Sequence, residues 1–457
     1  MDIANWAVSR ARTDRVKTDV NLEPTVMRIK GHQSRIATQW LIVQCALVVA
    51  CGSAPQSPLT MLGAPGRANA HVSVAASGEF VAVAWSGAEP GGSMDIYLSV
   101  SANSGEVFSA PVRVNRTTGE ARVNGEQPPR VALVPRTTGP PSIIVVWTAR
   151  ATEGTVLLSA RSDDGGRTFG ASSVIPGTDA PGNRGWQTIG VGPDGNVHVV
   201  WLDHRRLAAD SKVESTHRHG GTAEPGADTS GMAQFSDLYF ATLEGPASPM
   251  ALTAGVCYCC KTAVAFGGEG NIHLAWRHVY PGNLRDIAFA TLRGGIADVP
   301  QRVSEDRWML QGCPDDGPAM GAEERGRVHI VWPTVVTDDG APQKVLFHAS
   351  SVDGRAFTAR TRLPVEGQAN HPQIAVSRDG MLLLAWDEVH DGGRRIVVAR
   401  GDGGDSAPRV FRRDRSVGDR AGVYPAIALT PRTAIVAWTS GSPTDSTIAV
   451  LRMPAVH

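Results

Sequence analysis

An apolar run that ends in tryptophan recurs seven times along this chain, from VAVAW at 81–85 to AIVAW at 434–438. Successive tryptophans are separated by 52 to 75 residues. They are Trp85, Trp147, Trp201, Trp276, Trp332, Trp386 and Trp438. A repeat of this length indicates one structural unit copied several times, each copy burying its apolar face against the next. The sequence therefore predicts a repeat protein of seven units.

Each unit reads as four short β-strands. In the first unit the strands are HVSVAA from His71, FVAVAW to Trp85, DIYLSVSA and FSAPVRVN, with turn residues between them. No convincing amphipathic helix follows the N-terminal region, so the fold class is all-β. Four-stranded units at this spacing predict a β-propeller with seven blades, or six if the long third unit is miscounted.

The two ends of the repeat region complete each other. The seventh unit ends at Arg452 after its third strand, whereas SPLTML at 57–62 is a strand without a unit of its own. We expect this N-terminal strand to close the last blade, which leaves no open sheet edge around the ring. Residues 52–457 are then a single propeller domain, which we expect to be a monomer.

Residues 1–51 are predicted to be a leader. From Met27 a basic start, an apolar stretch through Ala50 and a terminal Cys51 resemble a bacterial lipoprotein signal peptide, so Met27 is the predicted true start. Lipidation of Cys51 would anchor the protein to the membrane of the bacterial cell envelope, facing the periplasm or the cell surface. The alternative is a plain cleaved signal or a buried helix.

The charge balance points away from one class of partner. The chain carries 44 basic and 44 acidic residues, which give no basic field for nucleic acid. We therefore expect no nucleic-acid partner.

Three turns carry a family resemblance. Ser162–Phe169 (SDDGGRTF) matches the Asp-box pattern S-x-D-x-G-x-x-[WF], and Ser101–Phe108 matches it with Asn103 at the acidic position. Ser350–Phe357 matches with Val352 there. The chain thus resembles the sialidase-like (BNR/Asp-box repeat) propellers, in which these turns lie on the face away from the active site.

That resemblance implies a glycan or another small molecule as the ligand, and it implies catalytic machinery of a particular kind. Sialidases bind a carboxylate with three arginines and use a Tyr–Glu pair and an Asp acid/base. The Arg-Ile-Pro motif of the family is missing here, so exo-sialidase hydrolysis is one alternative beside a binding module without catalysis. The candidate catalytic residues are Asp203, Arg205, Arg277, Tyr424 and Glu388.

One rim of the ring collects polar and aromatic residues. First strands start and second strands end at the same rim, so residues next to these points converge around one mouth. The candidate ligand-binding residues are Trp186, His204, His278, Asp315, Asp316, His371 and Asp387. Trp186 and Trp308 are candidate sugar-stacking faces, and the insertion at 206–235, with His217 and His219, is either a lid or a surface excursion. Three other histidines are predicted to be packing residues. His198, His273 and His329 occupy equivalent positions in their units, which indicates that they pack inside the fold.

Four cysteines precede the first strands of units four and five. Cys257, Cys259, Cys260 and Cys313 are predicted either to form two disulfides or to hold a soft metal, copper or zinc, with His278 or His371 as a further ligand. A metal or redox site, or a protein-interaction scaffold, is accordingly the alternative to glycan binding.

Overall fold

The computed structural model describes residues 59–209, 230–244, 248–267, 270–310, 312–338, 340–401 and 409–455. They form seven antiparallel sheets of four main strands each, and neighbouring innermost strands contact one another around the whole ring. The prediction of an all-β propeller with seven blades is confirmed, and the long third unit is a blade. The leader, with Met27 and Cys51, and residues His217 and His219 lie outside the described residues.

Each blade runs outward in chain order from the axis. The innermost strands are Ala68–Ser77, Arg130–Val134, Arg184–Val191, Ala263–Phe266, Ala319–Ala322, Gln368–Val376 and Val423–Leu429. The second strands are Phe80–Ala88, Ser142–Ala151, Val197–Asp203, Ile272–Arg277, Val328–Asp338, Leu382–His390 and Thr433–Ser442. The third strands are Met94–Ser101, Gly154–Ser162, Asp237–Thr242, Ile287–Arg293, Ala341–Ser351, Gly393–Gly401 and Asp445–Pro454.

The outer strands are short. In blades 1 to 6 they are Val112–Arg113, Ser173–Val174, Met250–Ala254, Ile296–Ala297 with Gln301–Arg302, Thr361–Arg362, and Phe411–Arg413 with Arg420–Ala421. Among the described residues, helical segments include Arg205–Ala209, Ser230–Ala233 and the 3-10 turn Arg415–Val417. Within the described ranges no helix is long and apolar enough to cross a membrane.

The outer strand of blade 7 comes from the other end of the chain. Leu59–Leu62 pairs antiparallel with Asp445–Pro454, with Leu59 opposite Leu451 and Leu62 opposite Ile448. The predicted closure by an N-terminal strand is confirmed. It joins the first described residues to the last blade, so the ring is held by backbone hydrogen bonds as well as by packing.

The apolar core lies between the blades. Seven buried clusters each span two neighbouring blades, including blades 7 and 1. Each cluster contains one repeated tryptophan, packed against the preceding blade and no more than 1% exposed. The second strands are buried on both faces, which explains why they read as unbroken apolar runs.

Three of the indole nitrogens show how these rings are bonded at the mouth end of the strands. Trp85 donates to Asn69 Oδ1 at 2.8 Å and Trp201 donates to Asp203 Oδ2 at 3.0 Å. Trp386 donates to Glu388 Oε2 at 3.2 Å. A buried N–H needs such an acceptor, so Asp203 and Glu388, which each follow a repeated tryptophan by two positions, have a structural task.

The turns between third and fourth strands are held by short polar side chains. Asp164 Oδ1 accepts from Ser162 Oγ at 2.8 Å and from the Arg167 and Thr168 amides. In blade 5 the alignment that put Val352 at the acidic position is wrong. Asp353 accepts from Ser351 Oγ at 3.1 Å and from the Arg355 amide at 2.8 Å, because the turn there is one residue shorter.

The three equivalent histidines are packed inside the blades. His198 and His273 are bonded to threonines of the adjacent third strands, Thr242 and Thr291, at 3.1 and 3.0 Å. His329 is bonded to His348 at 3.1 Å. Their burial fits the predicted packing.

Candidate functional site

A β-bulge starts the innermost strand in four blades. The pairing with the second strand shifts at this point in blades 1, 3, 6 and 7. The bulge residues have positive φ: 58° at His71, 52° at Trp186, 52° at His371 and 53° at Tyr424. Such a conformation strains a residue with a side chain, and its repetition at the mouth of one ring is a reason to look for function there.

Six ionisable side chains meet on the axis below this mouth. We call them the axial cluster: Glu126, Lys261, Asp316, His371, Asp387 and Tyr424. His371 Nδ1 lies 2.6 Å from Asp387 Oδ1, and the Asp316 carboxylate accepts from the His371 amide at 3.1 Å. Glu126 Oε2 accepts from the Lys261 amide at 3.1 Å. The cluster unites residues from blades 4, 6 and 7 and from the connections into blades 2 and 5.

The charges of the cluster shift several pKa values. Burial raises the pKa of Glu126 despite the opposing charge of Lys261. Burial disfavours the protonated form of His371, but the hydrogen bond and charge of Asp387, with Asp316 and Glu126, outweigh it and raise the pKa of His371. Burial also raises the pKa of Tyr424. The cluster therefore contains a His–Asp pair in which the pKa of the imidazole is raised, beside a carboxyl group whose pKa is raised by burial.

Tyr424 covers this cluster. Its ring lies 3.8 Å from the His371 ring, and a Cβ on Gly125 would come within 2.0 Å of the phenol carbon that bears the hydroxyl. The cavity between these residues holds about 20 Å³, room for about one water molecule. A sugar ring could reach His371 only if Tyr424 moved.

A larger cleft opens beside the axis above blade 2. It has a volume of about 610 Å³, a usual size for a small-molecule site. Its lining is Gly92, Met94, Ala121, Arg122, Val123, Asn124, Gln127, Thr148, Arg150, Thr155, Asn183, Arg184 and Trp186. We call it the mouth cleft. No carboxylate occurs among these described lining residues.

Two arginines make the mouth cleft cationic. Arg150 is exposed, and Arg122 is half-buried with Nη1 donating to the Ala121 carbonyl at 2.7 Å. Burial and the neighbouring Arg150 charge lower the pKa of Arg122. A third arginine, Arg184, is buried and paired with Asp203 at 3.2 Å. An anion between Arg122 and Arg150 would relieve their repulsion.

Asp203 and Arg205, two candidate catalytic residues, form an ion pair with each other. Asp203 is fully buried and lies 2.7 Å from Arg205 Nη2. The Arg205 guanidinium also stacks over the Tyr239 ring at 4.4 Å. Both side chains thus stabilise blade 3.

Arg277 and Glu388 are also engaged within the scaffold. Arg277 donates to the carbonyls of Arg285 and Pro333 at 2.6 and 2.7 Å. Glu388 is fully buried and accepts from Arg395 and Arg413, both at 2.9 Å. Of the five catalytic candidates, the structure brings only Tyr424 into the axial cluster.

The ligand-binding candidates divide between the axis and its surroundings. Asp316, His371 and Asp387 belong to the axial cluster, whereas Asp315 is exposed beside it. Trp186 lines the mouth cleft but is only 4% exposed, since its ring packs 5.3 Å from that of His204. His278 accepts from Trp276 Nε1 at 3.3 Å.

The four cysteines that the structure describes form one disulfide and leave two thiols. Cys259 is bonded to Cys313, while Cys257 and Cys260 are buried thiols whose sulfurs lie 3.7 Å apart. Two disulfides were one of the expected arrangements, and the structure has one of them. The Cys257, Cys259 and Cys260 sulfurs lie within 4.8 Å of one another, the kind of cluster that could hold a soft metal if all were thiolates.

Several residues of the site were not expected from the sequence. Glu126, Arg122 and Arg150 carry no motif. Lys261 is different, because the sequence does place it at the mouth: it directly follows the cysteine run and lies 15 residues before its repeated tryptophan. Trp186 and His371 show the same spacing.

Comparisons with known proteins give the fold but no family. No protein-family model matches the sequence, and no curated protein matches it. An ulvan lyase of a polysaccharide lyase family, solved with a GlcA(1-4)Rha3S saccharide, has a TM-score of 0.53 at 12% identity over 86% of this chain and 94% of the lyase. Another polysaccharide lyase has a TM-score of 0.52 at 10% identity over 86% and 91%. A microbial sialidase has a TM-score of 0.41 at 13% identity over 85% and 66%. The likeness to the two polysaccharide lyases shows a shared fold.

Proposed function

We propose that this protein binds an acidic glycan in the mouth cleft. The observation that carries the proposal is the pair of arginines, Arg122 and Arg150, in a cleft of about 610 Å³ whose described lining has no carboxylate. A guanidinium donates two parallel hydrogen bonds to a carboxylate or sulfate, so two of them can hold a uronate or sulfated sugar. Asn124 and Asn183 add amide groups that suit sugar hydroxyls.

The fold supports the same ligand class. Carbohydrate-active propellers share this architecture, and the ulvan lyase among them is named with a saccharide that contains an acid sugar. We infer only the class of ligand from this likeness.

Binding to immobilised acidic and neutral oligosaccharides tests the proposal. We expect uronate or sulfated glycans to bind and neutral ones to fail, with affinity that falls as salt is raised. Arg122→Ala with Arg150→Ala should weaken binding at least tenfold. The matched control is Arg378→Ala, an arginine 90% exposed in a turn at the opposite end of blade 6. Equal binding by both variants, or equal binding of neutral glycans, would refute the proposal.

A second candidate function is cleavage of the bound glycan by the axial cluster. It is favoured by the His371–Asp387 pair at 2.6 Å beneath the Tyr424 ring, next to Glu126. A His–Asp pair and a carboxyl group with a raised pKa are components of general acid–base catalysis. Hydrolysis of exo-sialidase type is the form that the sequence resemblance implies.

Product analysis distinguishes these reactions. Hydrolysis releases reducing ends or free sialic acid, whereas elimination leaves an unsaturated sugar that absorbs in the ultraviolet. His371→Gln and Tyr424→Phe should abolish either activity and leave glycan binding intact. An unchanged turnover in both variants would exclude the axial cluster as the catalytic site.

We further propose that Cys51 anchors the protein by lipid in the bacterial cell envelope. Metabolic labelling with a fatty-acid analogue should mark the wild-type protein and spare Cys51→Ser. Equal labelling of both would contradict the anchor.

A further inference from the structure

The four cysteines form a path of sulfur atoms from the surface to the interior. Cys313 is an exposed residue, and its disulfide partner Cys259 is 5% exposed. Beneath them, the Cys257 sulfur lies 3.9 Å from that of Cys259 and 3.7 Å from that of Cys260. Each sulfur is therefore in contact with the next, and one end of the path reaches solvent.

A cation stands next to the central thiol. Arg285 Nη1 lies 3.4 Å from Cys257 Sγ. A guanidinium at this distance stabilises a thiolate, which is the form that attacks disulfides. The hydrogen bond from Cys260 acts in the same direction and lowers the pKa of Cys257 against the effect of burial.

We propose that these cysteines are a thiol–disulfide exchange site, in which one disulfide migrates between Cys259–Cys313 and Cys257–Cys260. The proposal rests on the contacts among the four sulfurs and is independent of glycan binding.

The exchange balances within the protein. The Cys257 thiolate attacks Cys259 Sγ, so the Cys257–Cys259 bond forms and the Cys259–Cys313 bond breaks. The electron pair leaves on the exposed Cys313 sulfur, which takes a proton from solvent in place of the one that Cys257 gave up. Cys260 then attacks Cys257 Sγ and passes its proton to Cys259, the leaving sulfur. One disulfide and two thiols are present before and after, so no oxidant or reductant is consumed.

The exchange would release a segment of the mouth. Cys259–Cys313 ties the chain before blade 4 to the chain before blade 5. Asp316, three residues after Cys313, accepts from the His371 amide and lies 2.9 Å from Lys344 Nζ. Loss of the tie frees the segment that positions Asp316, so the disulfide position can control the axial cluster.

Disulfide mapping on the full chain tests the proposal. The protein is purified without reductant, held at pH 8, quenched with acid, alkylated and digested for mass spectrometry. We expect both Cys259–Cys313 and Cys257–Cys260 peptides, with Cys313 alkylated in the chains that contain the second. Cys257→Ser lacks the thiolate that attacks Cys259, so it should lower alkylation of Cys313 at least tenfold.

Three results would overturn the proposal. One is Cys259–Cys313 as the only bond, with Cys257 and Cys260 always alkylated. Another is both disulfides in the same chain, which leaves no thiol to exchange. The third is stoichiometric copper or zinc with all four sulfurs protected. The wild-type mapping decides among these even if Cys257→Ser fails to fold.

Discussion

The position two residues after each repeated tryptophan shows how a structural residue can resemble a catalytic one. Asp203, His278 and Glu388 all occupy it, and each accepts a hydrogen bond from the indole nitrogen. Buried carboxylates at the mouth of a ring look like acids and bases in a sequence. The equivalence of the three positions is what identifies them as acceptors for the buried indoles.

The repeated tryptophans should account for a large share of the stability of each interface. Trp386 is fully buried between blades 5 and 6. Trp386→Ala removes its apolar contacts and leaves Glu388 with one donor fewer, so we expect the free energy of unfolding to fall by about 3–5 kcal/mol. Urea unfolding measures the change. A loss below about 1 kcal/mol would contradict the buried position of the ring.

His371 should contribute to stability in a pH-dependent manner. Its folded pKa lies above the unfolded value of about 6.5. Protonation therefore favours the folded state, fully below pH 6.5, and this contribution is lost as the pH rises through the folded pKa. His371→Gln should destabilise the protein more at pH 5.5 than at pH 8.5, as measured by urea unfolding at both values.

His348 gives the opposite sign and serves as the control. Burial, with the charges of His329 and Arg409, lowers the pKa of His348 to about 3. Its neutral form is the folded one, so its contribution is lost as the pH falls from about 6.5 towards 3. His348→Gln should therefore reduce acid sensitivity. The same pH trend in both variants would contradict the assigned shifts.

At the scale of the element, the closing strand links the chain ends. Leu59–Leu62 covers the edge of Asp445–Pro454 and buries Leu62 in the interface between blades 7 and 1. Removal of residues 1–62 should cost about 2 kcal/mol from Leu62 alone and expose a sheet edge that can pair with another chain. Removal of residues 1–58 is the control. Urea unfolding and size-exclusion chromatography compare the two, and equal stability and size would contradict closure by this strand.

The blade 5 turn tests the register of the short polar motif. Asp353→Ala removes the acceptor for Ser351 and two backbone amides, whereas Val352 is 62% exposed. We expect the first change to lower the thermal midpoint and Val352→Ala to leave it unchanged. If Val352→Ala lowered the thermal midpoint and Asp353→Ala did not, the alignment that placed Val352 at the acidic position would be supported.

At the scale of the molecule, the seven-bladed ring could be predicted from the sequence, whereas most of the site could not. The second strands are buried on both faces in every blade, so their period, the blade number and the closing strand can be read from the apolar pattern. The residues of the mouth are harder to predict, because the role of each charged side chain depends on which group it is paired with in the folded protein. Arg277 and Arg122 are the same type of residue. The Arg277 guanidinium is bonded to buried carbonyl oxygens, whereas Arg122 lines the mouth cleft.

The binding of an acidic glycan in the mouth cleft is the central claim, and a crystal structure of the protein with a uronate-containing or sulfated oligosaccharide tests it most directly. We predict a carboxylate or sulfate group within hydrogen-bonding distance of both Arg122 and Arg150, with the sugar beside Asn124 above blade 2. A glycan bound at the opposite end of the ring, or one that leaves both arginines without contact, would contradict the account.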